Sequence, residues 1–247
     1  MSETVSKPRL NAVGQPIGEA ILDWKPVPRP PRTPIDGRYC RIEPIDPARH
    51  AKALFEAVSD DQDGAGWTYL GAGPFSTSSA YEAWMAATCL RDDPLFHAIV
   101  DNVSGAPVGV AAYLRIEPAV GVIEIGHIHY SPRLQRTRAA TEAMYLFMRR
   151  VFEELGYRRY EWKCDSLNEP SRRAAARLGF AYEGTFRQAT VYKGRNRDTA
   201  WFSILDREWP GLKTAYEAWL DPSNFDADGR QRRALHELTA EALRPLR

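Results

Sequence analysis

The chain has 247 residues, 44% of them hydrophobic, enough for a sizeable core in one large domain or two small ones. Its 33 Lys and Arg against 32 Asp and Glu leave a formal charge of +1, which gives no support to a dedicated nucleic-acid binder. No run reaches the roughly eighteen apolar residues of a membrane span, and the opening lacks the apolar core of a signal peptide, so the expected address is cytoplasmic, with no membrane partner.

Residues 1–37 read as an extended arm. Five prolines between Pro26 and Pro34 exclude a helix there. Ile21, Leu22 and Trp24 predict that the arm packs on the body. Residues 39–45 alternate well enough for a first strand. Asp46 before Pro47 predicts a helix start, with Ala51, Leu54, Phe55 and Val58 as the apolar stripe. Residues 59–78 are glycine-rich and read as a loop, followed by a second helix near 79–90. Residues 95–100, 108–116 and 120–130 predict three strands in a meander. The period turns helical over 138–155, where Gly156 stops it. A strand at 160–165, a helix at 168–178, strands at 180–187 and 199–205, and a helix at 208–220 follow. The charged tail carries Leu235, Leu238, Ala242 and Leu243 as a thin apolar face.

One strand–helix–strand passage in this order requires a parallel pair, and the remaining strands can be hairpin-connected. The expected class is therefore α+β, a mixed α/β domain with a largely antiparallel sheet. The expected division is an arm at 1–37, a body at 38–206 and a helical extension at 207–247. The arm and the tail are candidates for contacts in a homodimer. Cys40, Cys89 and Cys164 are too widely spaced for a disulfide framework or a zinc site, and each is expected as a small buried hydrophobe.

The chemistry is expected after the strand that ends near Tyr130. The first amides of the following helix have no acceptor within it, and with the helix dipole they suit a phosphate. Arg133, Arg136 and Arg138 surround that point, and Ala139 and Ala140 permit close approach. An ordinary helix start with solvated arginines is the alternative. One strand later, Asn168 is placed to cap a helix and Pro170 suits its first turn. Ser171 has no cap role to explain it.

Gln135 to Ala143 resembles the Gln/Arg-x-x-Gly-x-Gly/Ala signature of the GNAT superfamily of acyl-coenzyme A-dependent N-acetyltransferases. Asn168 and Ser171, with Leu178-Gly179-Phe180 and Glu183-Gly184, resemble the N-x-x-S and L-G-F-x-x-E-G block of its RimJ/RimL-like branch. The resemblance spans roughly residues 38–206. It implies the GNAT acyl-CoA N-acyltransferase fold, mainly antiparallel with one splayed parallel pair, flanked by helices. It implies transfer of an acetyl group from acetyl-CoA, as co-substrate and without a metal, to a primary amine such as a protein N-terminus, a peptide or a small molecule. A catalytically weak or inactive coenzyme A-binding regulatory module is the alternative. The stretch Gln135, Arg136, Thr137, Arg138, Ala139, Ala140 and Thr141 is expected to hold the coenzyme's pyrophosphate. The strand edge Ile128, His129 and Tyr130 is expected to bond its pantetheine arm. Asn168 would hold the thiol end and Ser171 would protonate the departing thiolate. Arg138 stands where the family has its central glycine, so it must strain the backbone or turn its side chain away.

The acceptor amine must lose a proton. Glu124 is the first candidate base, with Gly126 marking a bulge that re-aims it. Pairing of Glu124 with an arginine across the sheet is the alternative. His127 is the second candidate base. His127 and His129 share a strand face, but no third ligand accompanies them, so no metal is expected. Trp67, Tyr69, Trp162 and Tyr192 are candidates for an aromatic acceptor wall. Thr190 is neutral where the branch often has an acid, which weakens the expectation of a strongly cationic acceptor. A nucleic-acid reading through Arg172 and Arg173 is poorly supported at this net charge.

Overall fold

A computed structural model describes residues 9–244, so residues 1–8 and 245–247 of the expected arm and extension lie outside the described residues. The arm opens with a small antiparallel pair, β1 (Arg9–Leu10) and β2 (Pro16–Ile17). Ile21 and Leu22 are exposed, at 51% and 90%, against the expectation that they pack. Trp24 does dock, donating its indole N–H to the Ala119 carbonyl at 2.8 Å. Arg32 then fixes the chain on the carbonyls of Leu90 and Arg91. The arm's last residues become a strand, β3 (Ile35–Asp36), which composition did not reveal.

The body follows the expected order. It runs β4 (Cys40–Pro44), α1 (Pro47–Val58), α2 (Ser78–Thr88), β5 (Leu95–Asp101), β6 (Pro107–Glu117), β7 (Val122–Tyr130) and α3 (Arg138–Arg149). Then come β8 (Arg159–Asp165), α4 (Glu169–Arg177), β9 (Ala181–Tyr192), β10 (Arg195–Leu205), α5 (Trp209–Leu220) and α6 (Leu235–Leu243). The helix expected over 138–155 ends its α-helical part at Arg149 and widens into a π-turn over Arg150–Glu154. Arg150 is buried there and donates to the Thr33 and Pro34 carbonyls, tying the turn to the arm.

The sheet order is β3-β4-β5-β6-β7-β8-β10-β9, and β7 with β8 is its single parallel pair among the described residues. Alternation divides the core. Phe96, Ala98, Val110 and Ala112 pack with α1 and α2 on one face, while Leu95, Ile99, Ala111 and Tyr113 join α3 on the other. Trp209, Tyr216 and Leu235 of the last two helices belong to that second core. The three cysteines are buried and free.

Two features position the site. Pairing of β7 with β8 ends at Ile125 and Trp162, although both strands run on to Tyr130 and Asp165. The strands therefore part while each keeps its outer neighbour, β6 or β10. The second feature is Glu142 on α3. Its carboxylate accepts the amides of Arg38, Tyr39 and Cys40 at 2.6 to 2.8 Å, which locks α3 against the start of β4. The approach is so close that a Cβ on Gly37 would lie 2.6 Å from the carboxylate.

Candidate active site

A cleft of about 1040 Å³ opens where β7 and β8 part and runs to the start of α3. Its volume is at the top of the range for small-molecule pockets.

At the α3 end, Thr137 caps the helix by accepting the Ala140 amide. The Arg138 and Ala139 amides find no internal acceptor among the described residues. Strain falls on Arg136, with φ of +63°, and not on Arg138, which starts the helix outside the left-handed region. The side chain of Arg138 turns away, onto the rings of Phe225 at 4.3 Å and Tyr39 at 5.4 Å. Arg177 of α4 lies 5.1 Å from the Trp219 ring and donates to Thr141 Oγ1. Arg136, Arg138 and Arg177 line the cleft with no ion pair among the described residues. Arg133 instead binds Asp60 at 2.7 Å, outside the cleft. Ala139 is buried, so only its main chain is available.

Along β7 a bulge puts His127 and Ile128 opposite the single residue Ala111. It lies just past Gly126 and gives His127 a φ of +48°. His127 is exposed and its pKa is depressed by partial burial and by Arg115 and Arg197. His129 is buried with its ring 3.9 Å from Trp67, and burial lowers its pKa to about 4. Gln135 donates its side-chain amide to the Tyr130 carbonyl at 2.9 Å.

Beyond the divergence, Asn168 caps α4 by accepting the Ser171 amide at 3.1 Å. The Trp162 indole donates to Ser171 Oγ at 3.0 Å. A hydroxyl that accepts in this way keeps its own proton to give. Cys164 lies close by, but burial raises its pKa and makes it a poor nucleophile.

Glu124 is 3% exposed. Its Oε2 accepts from Arg115 at 2.6 Å and Lys163 at 2.9 Å. The cross-sheet arginine weighed as an alternative is thus present, and a lysine joins it. Oε1 has no protein partner among the described residues and faces Gly126. Burial raises the Glu124 pKa against the pull of both cations. Leu114 is opposite Glu124, so a regular strand would send Arg115 to the other face; an irregularity there, with φ of +46°, brings it back.

A roof closes over this end. Tyr69 donates its hydroxyl to the Leu167 carbonyl, while Lys193 and Arg195 donate to the carbonyls of Trp67 and Thr68. Tyr69 and Trp162 line the cleft, whereas Trp67, Tyr192 and Thr190 do not. Trp67 is buried in an aromatic cluster with Phe75, Tyr81 and Trp84, behind the cleft wall. Trp162 lies against Phe180 and serves the Ser171 side. Tyr192 gives its hydroxyl to Asp165. Thr190 is exposed on the β9–β10 hairpin. Sequence reasoning missed Arg115, Lys163, Arg177, Arg197, Trp219 and Phe225. Only the spacing of Glu161 and Lys163 offered a signal, since alternate strand residues share a face.

Comparison with known proteins agrees with this geometry. The acetyltransferase (GNAT) domain family matches residues 40–181. A GCN5-related N-acetyltransferase from Brucella melitensis has a crystal structure 52% identical, covering 88% of this chain and 98% of that one, with a TM-score of 0.86. A GNAT-family acetyltransferase structure from Chromobacterium violaceum is 42% identical over 79% of this chain and 98% of that one, at a TM-score of 0.73. The "Putative ribosomal N-acetyltransferase YdaF" of Bacillus subtilis is 26% identical over 70% of this chain and 92% of its own length. With its splayed parallel pair and capped α3 and α4, the chain belongs to the GNAT acetyltransferases and is an acyltransferase.

Proposed function

We propose that the chain moves an acetyl group from acetyl-coenzyme A to a primary amine by direct transfer in the cleft between β7 and β8. The observation that carries the reading is the end of β7–β8 pairing at Ile125 and Trp162 while both strands continue. The main chain of Ile128, His129 and Tyr130 is suited to an amide-bearing arm that adds as a strand does. Free amides at the start of α3, beside Arg136, Arg138 and Arg177, suit a diphosphate. The residues therefore fit coenzyme A.

Bound there, acetyl-coenzyme A would supply an acetyl thioester whose thiol leaves as the amide bond forms. Glu124 Oε1 takes the proton that the amine gives up, directly or through one water. Its raised pKa makes it a better base than an exposed carboxylate. Ser171 gives its hydroxyl proton to the departing sulfur, with Trp162 holding the oxygen in place. Asn168 has Oδ1 engaged in the cap and offers Nδ2 to the thiol end. His127 is the weaker alternative base, since its pKa is depressed. Holding amine and thioester in register contributes more than either proton transfer.

The test combines acetyl-coenzyme A with a broad amine panel and measures thiol release. At least one amine should release thiol well above the blank. Glu124→Gln should lower kcat about 100-fold with little change in acetyl-coenzyme A affinity. Absence of both thiol release and calorimetric binding of acetyl-coenzyme A overturns the reading.

A further inference from the structure

The hairpin between β9 and β10 carries Lys193, Arg195 and Arg197, with no acid until Asp198. Asp198 Oδ1 accepts from the Gln188 amide and Asn196 Nδ2, and its carboxylate pairs with none of these three cations among the described residues. Residues 187–189 of β9 lie opposite Asp198 alone, an irregularity beyond which the hairpin tip lies. Lys193 and Arg195 pin that tip to the carbonyls of Trp67 and Thr68 on the roof loop.

None of these three cations forms an ion pair among the described residues. Arg197 lines the cleft, and its Nε is buried without a hydrogen-bond partner among the described residues. The cleft's own acids already face cations or donors. Glu124 holds Arg115 and Lys163, and Asp165 accepts the Leu167 amide and the Tyr192 hydroxyl. Arg115, Arg197 and His127 all line this cleft. A cationic acceptor would be repelled at this mouth, and an anionic group would relieve it.

Resting on the transfer reading above, we infer that the acceptor is a primary amine that itself bears an anionic group, a carboxylate or a phosphate, which Arg197 takes at the mouth of the cleft. Lys193 and Arg195 add to the field, and the fork of Arg197 suits either group bidentately. Thr190 is directly opposite Arg197 in the hairpin and shares its face. An acid at 190 would therefore supply an internal counter-charge.

The test compares kcat/KM within two pairs of amines, L-alanine against L-alaninamide and O-phosphoethanolamine against ethanolamine. In at least one pair the anionic member should be preferred about tenfold or more, and the pair that responds distinguishes carboxylate from phosphate. Arg197→Ala should raise KM for that acceptor about tenfold and leave the acetyl-coenzyme A Kd unchanged. Thr190→Glu, which keeps Arg197 in place, should erase the preference. Acetylation that ignores acceptor charge in both pairs, or an Arg197→Ala loss equal for all acceptors, overturns this inference and leaves the transfer reading standing. Failure to acetylate any amine overturns both.

Discussion

Ser171 Oγ accepts from the Trp162 indole, which leaves the hydroxyl its own proton to donate. Ser171→Ala should therefore lower kcat about tenfold while the coenzyme Kd stays the same, because a thiolate leaves tolerably well unaided. Trp162→Phe removes only the N–H and keeps a ring against Phe180, at a cost of about 1 kcal/mol, or roughly fivefold in kcat. Steady-state kinetics with separate calorimetric titration checks both; equal loss of binding would make Ser171 a coenzyme ligand. Ser171 was legible because Asn168 already explained the cap and left the hydroxyl without a local duty. The surroundings of Glu124 were not legible. Arg115 reaches it through a backbone irregularity, which alternation along a strand does not foresee.

Elements whose ends are written in capping chemistry came out near their expected bounds. Asp46, Thr137 and Asn168 each accept an amide of the first turn, and the strand–helix–strand passage produced the parallel pair. Strands made by pairing were less visible. β3 exists because it meets β4, and β9 and β10 extend into a hairpin whose polar residues read as a turn. The grip of Glu142 on three amides is likewise a tertiary fact. Glu142→Ala would leave the buried Cys40 amide and the part-buried Arg38 and Tyr39 amides without this acceptor, and an unmet buried donor costs about 1 to 3 kcal/mol. The variant should lose about 3 kcal/mol or more of unfolding free energy, read from the urea midpoint at constant m. At the opposite wall, Phe225 carries the guanidinium of Arg138. Phe225→Ala should free that side chain and weaken coenzyme binding a few-fold, roughly the worth of one cation–π contact. Calorimetry with free coenzyme A is the measurement, and unchanged affinity would show that Arg138 needs no such support.

At the scale of the whole molecule, the chain returns to cover its own cleft. Trp219, Phe225 and Gln231 line it from beyond the matched family region, 40–181. No periodicity announces such a return, because the segment is polar and its role depends on where α5 sends it. The whole fold also has a legible acid response. His97 is fully buried between Tyr113 and Phe147, and burial lowers its pKa to about 3. His129 falls to about 4. Both pKa values are depressed relative to an unfolded histidine near 6.5. Below pH 6.5 the unfolded chain therefore binds protons that the folded chain refuses, and stability falls with pH. The loss should run from about pH 6.5 to 4 for His129 and on towards 3 for His97. For His129 it amounts to up to about 3 kcal/mol at pH 4, since one pKa unit is about 1.4 kcal/mol. Glu124, with a raised pKa, opposes it by favouring the folded state once protonated. Urea midpoints at pH 7, 5.5 and 4 should fall in that order, and His97→Leu should flatten the decline. Equal midpoints at pH 7 and 4 would mean that water reaches both imidazoles in the folded state and lets them charge in place.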